Sequence, residues 1–254
     1  MNLIPKFLAF MRECLFPGGC AICGRILLDG EESMYSLCGD CMTLFTVNAE
    51  PRCPSCGRPL IFGQGPCLSC RKQAPFHFDG GFALYPYAGK HLELLRAYKF
   101  DGFHSLVNFL VLRLLDIFFQ FPSGEFSSFS WVPVPPRPGK IRKTGWDQSS
   151  YLARRLDRLY RRGYNGATSI SADSIYLPVC SCLKRLPSKT QKELNQKDRR
   201  RNLKGRIIRA GNVPRRVLLF DDVITTGSTL DACAEILKKN GVEKVYAVSL
   251  FYRQ

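Results

Sequence analysis

The chain has 254 residues, of which 45% are apolar and 23% are charged, and its formal net charge is +16. This length allows one full domain and a smaller one, and the balance of apolar and charged residues excludes an intrinsically disordered chain. No stretch reaches about 18 uninterrupted apolar residues, so no transmembrane segment is expected.

The N-terminal residues predict a helix that packs on the rest of the protein. Apolar side chains recur at helical spacing on one face: Leu3, Ile4, Phe7, Leu8, Met11 and Leu15. The segment has no small-residue cleavage site of the kind that a secretion signal requires, so a cytoplasmic location is expected. Binding of this helix to a membrane surface is the alternative interpretation.

Residues 1–75 form the first predicted domain, which contains four Cys-x-x-Cys pairs. The pairs are Cys20/Cys23, Cys38/Cys41, Cys53/Cys56 and Cys67/Cys70. A two-residue spacer places both thiolates on one side of a tight turn, and two such turns complete a tetrahedral zinc site. The spacing therefore predicts a double zinc ribbon with two structural Zn²⁺ ions. Sequential pairing is the simplest assignment, and a cross-braced pairing also satisfies the spacing.

The charge of this module argues against nucleic-acid binding by the ribbons. Residues 1–75 contain seven Lys/Arg and six Asp/Glu, a net charge of only +1. A surface that neutralises phosphates is more basic than that. We therefore expect the ribbons to be structural or protein-binding.

Residues 76–254 predict a second domain in which strands and helices alternate. Strands are predicted over 81–87, 131–134, 217–220 and 244–251, and helices over 91–99, 104–121, 147–162 and 230–240. Residues 135–145 are predicted to form a flexible basic loop. This alternation predicts an α/β fold with a parallel sheet flanked by helices and a ligand beyond the carboxyl ends of the strands.

The stretch from Val217 to Leu230 predicts the functional site. An apolar strand is followed by Asp221 and Asp222, and then by a loop of hydroxyl-bearing and small residues before a helix. These loop residues are Thr225, Thr226, Gly227, Ser228 and Thr229. Free backbone N–H groups at a helix N-terminus suit a phosphate, and the two carboxylates can accept hydrogen bonds from neighbouring sugar hydroxyls. Together they describe a ribose 5-phosphate site, whereas an ordinary strand-to-helix turn is the alternative.

At these residues the chain resembles the phosphoribosyl-pyrophosphate (PRPP) signature of type I phosphoribosyltransferases. The resemblance implies that Asp221 and Asp222 hold the ribose hydroxyls and that Thr225 to Thr229 hold the 5-phosphate. It also implies that Mg²⁺ bridges the pyrophosphate and the sugar hydroxyls. Arg137, in the loop after the strand that ends at Val134, is then a candidate contact on the pyrophosphate side.

Several further motifs follow one another along nearly the whole chain. They are Leu15-Phe16-Pro17 before Cys20, the double ribbon, Tyr98-Lys99-Phe100 with Gly102, Val132 to Pro135, Gly145 to Gln148, Thr190-Gln191 with Leu194, and Arg199 with Arg201-Asn202. Their order resembles that of the ComF proteins linked to bacterial competence, one branch of this superfamily. The resemblance implies a PRPP-like site in a protein of DNA uptake or recombination. Single-stranded DNA and DNA-translocation or recombination proteins are the implied partners.

One turn departs from the family pattern of Arg-Gly-aromatic-Asn-Gln. This chain has Thr144 in place of the arginine and Asp147 in place of the asparagine. We interpret Asp147 as a cap of the following helix. Arg142 and Lys143 partly replace the missing arginine, although a lysine cannot make the bidentate phosphate contact of an arginine.

Two basic segments of the second domain carry the positive charge. Residues 137–162 contain nine Lys/Arg and two acidic residues, and residues 184–216 contain thirteen and two. This distribution favours a polyanionic partner over a merely solvated surface. The candidate nucleic-acid contacts are Arg142, Lys143, Arg199, Arg200 and Arg201.

Three functions are compatible with these patterns. The first is a DNA-handling protein that uses a PRPP-type site for binding or regulation. The second is an active phosphoribosyltransferase of nucleotide salvage, and the third is a PRPP-sensing regulator whose ribbons bind another protein. No residue is recognisable as a general base for an acceptor, but type I transfer depends more on positioning and charge stabilisation, so the sequence leaves enzyme activity open.

Overall fold

The computed structural model describes residues 18–47, 51–60, 63–118, 126, 128–161, 177–187 and 205–253. Two four-cysteine units precede a central parallel sheet that helices flank, which confirms the predicted fold class. Within these ranges, no helix has both the length and the apolar content needed to cross a membrane. The predicted N-terminal helix and Arg199 to Arg201 lie outside the described residues.

The described secondary structure consists of short helices in the ribbons and alternating elements after them. The strands are β1 Gly80–Pro86, β2 Ser130–Pro133, β3 Leu183–Arg185, β4 Ile207–Arg209, β5 Arg216–Ile224 and β6 Lys244–Tyr252. The helices are α1 Gly30–Tyr35, α2 Gly39–Thr43, α3 Leu68–Arg71, α4 Gly89–Lys99, α5 Leu106–Phe118, α6 Lys140–Thr144, α7 Gln148–Arg161 and α8 Ser228–Lys239.

The central sheet has the strand order β1-β6-β5-β2, and all its neighbouring strands are parallel. In its register, Leu218 of β5 lies opposite Tyr246 of β6 and Trp131 of β2. Strands β3 and β4 form a separate antiparallel pair. The continuous apolar run of β5 is buried on both faces, as expected for an inner parallel strand.

Alternate residues of β5 belong to two different cores, one on each face of the sheet. Leu218 and Phe220 pack with α4, α5, α7 and the first ribbon. Val217 and Leu219 pack with α8 and the second ribbon. Because successive side chains of a strand point to opposite faces, each ribbon is attached to its own side of the sheet. The boundary at residues 75 and 76 stays a prediction.

The structure corrects two boundaries near the predicted site. Strand β5 does not end at Phe220, because its pairing with β6 continues through Asp221 to Ile224. The basic loop at 135–145 is not wholly irregular, since it contains α6 between Gly139 and Gly145, whose φ angles are 80° and 79°. Glycine adopts this left-handed conformation readily, which explains where this short helix begins and ends.

The second ribbon docks on β1 through Gly57. The backbone N–H of Ala83 donates to the Gly57 carbonyl oxygen at 3.1 Å, and Arg52 donates to the same oxygen and to that of Ala83. A Cβ atom at Gly57 would lie only 2.1 Å from the backbone carbon of Gly81. The ribbon and the sheet edge can therefore meet this closely only through glycine.

We expect Gly57→Ala to destabilise the fold by about 2–4 kcal/mol, because it adds overpacking to an unfavourable positive φ. Gly24→Ala is the matched control, since Gly24 follows Cys23 as Gly57 follows Cys56. Its φ is also positive, at 76°, but open space surrounds it. Chemical denaturation measures both changes. Equal losses of unfolding free energy in the two variants would show that the contact with Gly81 contributes nothing.

Candidate functional site

Each ribbon brings four cysteine thiols together. Cys20, Cys23, Cys38 and Cys41 form one cluster, and Cys53, Cys56, Cys67 and Cys70 form the other. In each cluster the Sγ atoms lie within 4.8 Å of one another. The pairing of the Cys-x-x-Cys units is therefore sequential, and the cross-braced alternative is wrong.

The surroundings of these thiols suit a divalent cation. Backbone N–H groups of Cys38 and Cys67 lie 3.4 Å from Cys20 Sγ and 3.3 Å from Cys53 Sγ, so they can donate to thiolates. The second Cys-x-x-Cys unit of each ribbon thus supplies an amide donor as well as sulfur ligands. Four clustered sulfur atoms in a closed, all-protein shell fit structural zinc.

The pKa values of the thiols also fit a metal centre. Burial would raise the pKa of Cys20, but backbone hydrogen bonds from Cys23 and Cys38 outweigh it and lower that pKa to about 7. The same opposition between burial and backbone hydrogen bonds lowers the pKa of Cys53 to about 7. Burial raises the pKa of Cys70 to about 12. Each cluster therefore contains one readily ionised thiol, and the charge of a cation favours ionisation of the others.

The two carboxylates of the candidate phosphoribosyl site lie side by side near the end of β5. Both residues are half-buried, and the backbone N–H of Asp222 donates to Asp221 Oδ1 at 2.9 Å. Burial and the charge of Asp222 raise the pKa of Asp221 to about 7, while Lys99 and Lys140 act in the opposite direction. The pair thus concentrates negative charge at the carboxyl edge of the sheet.

Lys99 holds Asp222 from the end of α4. Its Nζ lies 2.6 Å from Asp222 Oδ2, and the two side chains are only 17% and 14% exposed. Sequence reasoning gave Lys99 no role in the site, although it noted the Tyr98-Lys99-Phe100 motif. The ion pair fixes the orientation of the Asp222 carboxylate and compensates its negative charge. The negative charge of Asp221 is therefore compensated less strongly than that of Asp222.

The hydroxyl-rich loop connects β5 to α8 and bends sharply at Gly227. The φ of Gly227 is 74°, and a Cβ atom there would lie 2.8 Å from the ring of Phe76. Thr226 Oγ1 and Ser228 Oγ are 2.8 Å apart, so the two hydroxyls order each other. The loop ends at the N-terminus of a 12-residue helix. This arrangement provides hydroxyl donors and the positive end of a helix dipole.

The second ribbon contacts this loop through Arg58, which sequence reasoning also missed. Arg58 Nη2 donates to the carbonyl oxygen of Thr225 at 2.7 Å. A cavity of about 300 Å³ lies between ribbon and loop, and its lining includes Cys56, Cys70 and Arg253. One zinc unit is therefore part of the wall of the candidate site region.

The remaining predicted residues that the structure describes lie on the segment after β2. Arg137, Arg142 and Lys143 are exposed. Asp147 accepts hydrogen bonds from the backbone N–H of Ser150 at 2.9 Å and from Lys140 Nζ at 2.8 Å. Burial would raise the pKa of Asp147, but these bonds lower it below its ordinary value. Asp147 therefore caps α7, as predicted.

Comparisons with known proteins found a family that matches the cysteine-rich part of the chain and relatives that align with most of its length. Residues 11–72 match the family described as "Double zinc ribbon domain". "Competence protein F" of Haemophilus influenzae is 29% identical over 221 residues, which cover 82% of this chain and 87% of that protein. "Competence protein ComFC" of Streptococcus pneumoniae is 23% identical, with coverage of 91% and 98%. "DNA utilization protein YhgH" of Escherichia coli K12 is 25% identical, with coverage of 90% and 94%.

Proposed function

We propose, since the chain belongs to the ComF family, that it handles single-stranded DNA in uptake or recombination and binds a phosphoribosyl ligand. Relatives named for competence and for DNA utilization align with most of this chain, which supports the DNA-handling part. DNA-translocation or recombination proteins are the protein partners that this role implies. The paired carboxylates beside a hydroxyl-rich loop support the ligand part.

The carboxylate pair is the single observation that carries the ligand assignment. Asp221 and Asp222 are half-buried acids that do not belong to a zinc cluster, and their mutual repulsion favours a ligand rich in hydroxyl donors or a cation. We assign the ribose hydroxyls to this pair. The 5-phosphate is assigned to Thr225, Thr226, Gly227, Ser228 and Thr229.

PRPP with Mg²⁺ fits this arrangement chemically. The ligand itself brings most of the oxygen atoms that Mg²⁺ requires, so few dedicated protein ligands are needed. When bound, Mg²⁺ supplies positive charge against the pyrophosphate. Arg137 is assigned to the pyrophosphate side, where an exposed guanidinium adds a second positive charge.

The basic segments of the second domain are assigned to the nucleic acid. Arg142 and Lys143 are exposed on α6, and Arg199, Arg200 and Arg201 complete the proposed set. The ribbons carry almost no net charge, so we assign them no direct role in phosphate binding.

A PRPP-sensing regulator is a second candidate, and the contact of Arg58 with Thr225 favours it. A protein partner bound to the second ribbon would act on the loop through this hydrogen bond. A working phosphoribosyltransferase is the third candidate, for which the same ligand residues would serve.

Calorimetry and a turnover assay on the full chain test the ligand assignment and separate a transferase from the two functions that only bind PRPP. We expect Mg²⁺-dependent binding of PRPP without pyrophosphate release in the presence of a panel of nucleobases and amines. Release with one acceptor would replace the DNA-handling proposal by a transferase. No PRPP binding in the zinc-loaded protein would remove the ligand assignment.

A further inference from the structure

A second cavity, of about 290 Å³, lies between α5 and α7 and shares no lining residue with the carboxylate pair or its loop. The helix α7 contributes Arg154, Arg155, Arg158 and Tyr151 to it, and the opposite wall contains Ser105 and Asn108. No carboxylate is among the described residues of its lining. We call this cavity the α7 pocket.

Arg158 lies four residues after Arg154 and three after Arg155, so on the helix surface it is a direct neighbour of both. Like charges one turn apart repel each other, so this arrangement costs free energy unless an anion binds there. Arg154 and Arg158 are exposed, and neither forms an ion pair with another residue that the structure describes. A concave surface of one charge sign also focuses the potential on an approaching ligand.

The third arginine is held in place by the first ribbon. Arg155 Nε donates to Asn108 Oδ1, and Asn108 Nδ2 donates to the carbonyl oxygen of Met34 at 2.7 Å. Met34 belongs to α1. Asn108 therefore orients the half-buried guanidinium of Arg155 and links the α7 pocket to the first ribbon, which is a built arrangement and not a chance group of surface side chains.

Tyr151 lines the α7 pocket, and two further aromatic rings continue from it outside the lining. The ring of Tyr151 lies 5.5 Å from that of Trp146, and Trp146 lies 4.5 Å from the ring of His104. Trp146 and Tyr151 are half-buried, and His104 is exposed. Rings beside a basic pocket are typical of proteins that bind single strands, because unpaired bases stack on them while arginines contact phosphates.

We propose that the α7 pocket binds phosphate groups of a single-stranded nucleic acid, with a base resting against Trp146 and Tyr151. This inference rests on the proposed DNA-handling function and gives it a location that the charge distribution of the sequence alone did not give. Arg154 and Arg158 are the phosphate contacts. A duplex would not present unpaired bases to the rings, and a small phosphate would not use them.

The first test is the double substitution Arg154→Ala/Arg158→Ala in the full, zinc-loaded chain. Fluorescence anisotropy with a labelled oligo-dT is expected to give an affinity at least about tenfold weaker at low salt. The steepness of the decrease in log affinity with log salt is expected to fall by about 0.7 for each lost contact. Arg71→Ala/Arg96→Ala removes the same charge from exposed positions outside the pocket and is expected to change neither quantity.

The second test uses tryptophan fluorescence. The chain has two tryptophans, and the other, Trp131, is fully buried in the core. Oligo-dT is therefore expected to change the emission of Trp146 alone. Trp146→Phe keeps an aromatic ring and is expected to retain most of the affinity while losing the change in emission.

The outcomes distinguish the pocket from the wider proposal. If the parent protein binds no single strand, the DNA-handling function and the pocket both fail. If it binds and Arg154→Ala/Arg158→Ala binds equally well, only the pocket is wrong. A loss confined to Arg142→Ala/Lys143→Ala would assign the strand to α6. If tripolyphosphate competes as strongly as the oligonucleotide, the ligand of the pocket is a small anion. If Arg154→Ala/Arg158→Ala loses as much affinity for PRPP as for DNA, the α7 pocket is not a site separate from the PRPP site.

Discussion

Cys56→Ser is expected to remove one of two zinc ions per chain and to unfold the second ribbon. Binding of structural zinc is worth about 10–16 kcal/mol in small zinc domains, and that free energy is folding free energy. Cys53 and Cys56 also belong to the core on the α8 face of the sheet, so the loss is expected to reach beyond the ribbon. Metal analysis by mass spectrometry and thermal unfolding measure the two effects.

Cys180→Ser is the matched control, because Cys180 is half-buried but belongs to neither thiol cluster. It is expected to retain two zinc ions. Cys23→Ser is expected to lose the other zinc and to affect the first ribbon. A parent protein without zinc, or a Cys56→Ser variant that still binds two ions, would contradict the assignment.

Asp221→Asn/Asp222→Asn is expected to abolish measurable PRPP binding while the protein stays folded. Hydrogen bonds to charged groups contribute about 1.5–3 kcal/mol each, and the substitution replaces both carboxylates by neutral amides of the same shape. Calorimetry with Mg²⁺ measures the affinity. Asp231→Asn removes a carboxylate from the first turn of α8, where it pairs with His77, and is expected to bind PRPP as the parent does. Unchanged affinity in the double variant would remove the ribose assignment.

The affinity for PRPP is also expected to depend on pH. Burial and Asp222 raise the pKa of Asp221 to about 7, so a proton competes with the ligand near neutrality. If one proton must leave, affinity rises about tenfold between pH 6 and pH 8. The effect of pH on folding stability has the opposite sign. The pKa of Asp221 in the folded state lies above its ordinary value of 3.8, so the contribution of Asp221 to stability is greatest below pH 3.8. That contribution is lost as the pH rises through about 7.

Local patterns predicted the parts of the site that depend on neighbours in sequence. The apolar run before Asp221 predicted a strand buried on both faces, and the position of Asp147 before a helical pattern predicted its cap. Four Cys-x-x-Cys pairs predicted two metal centres. Spacing alone could not decide which pairs share a metal, because that depends on how the segments between the pairs fold.

Contacts between distant residues were beyond sequence reasoning. Arg58 and Thr225 are 167 residues apart, and the pairing of Lys99 with Asp222 likewise depends on how α4 packs against the sheet. The end of β5 was misplaced for a related reason. Aspartate is disfavoured in strands, but pairing with β6 carries the strand through both carboxylates.

The hydrogen bond from Arg58 to Thr225 couples zinc binding in the second ribbon to ligand binding at the loop. Arg58 is two residues from the zinc ligand Cys56, and Thr225 opens the loop to which the 5-phosphate is assigned. If zinc in the second ribbon favours the loop conformation that binds the ligand, reciprocity requires the ligand to raise the affinity of that ribbon for zinc by the same factor. The first ribbon lies on the opposite face of the sheet and takes no part in this coupling. In a titration with a chelator, bound ligand would then change the zinc affinity of the second ribbon and leave that of the first ribbon unchanged.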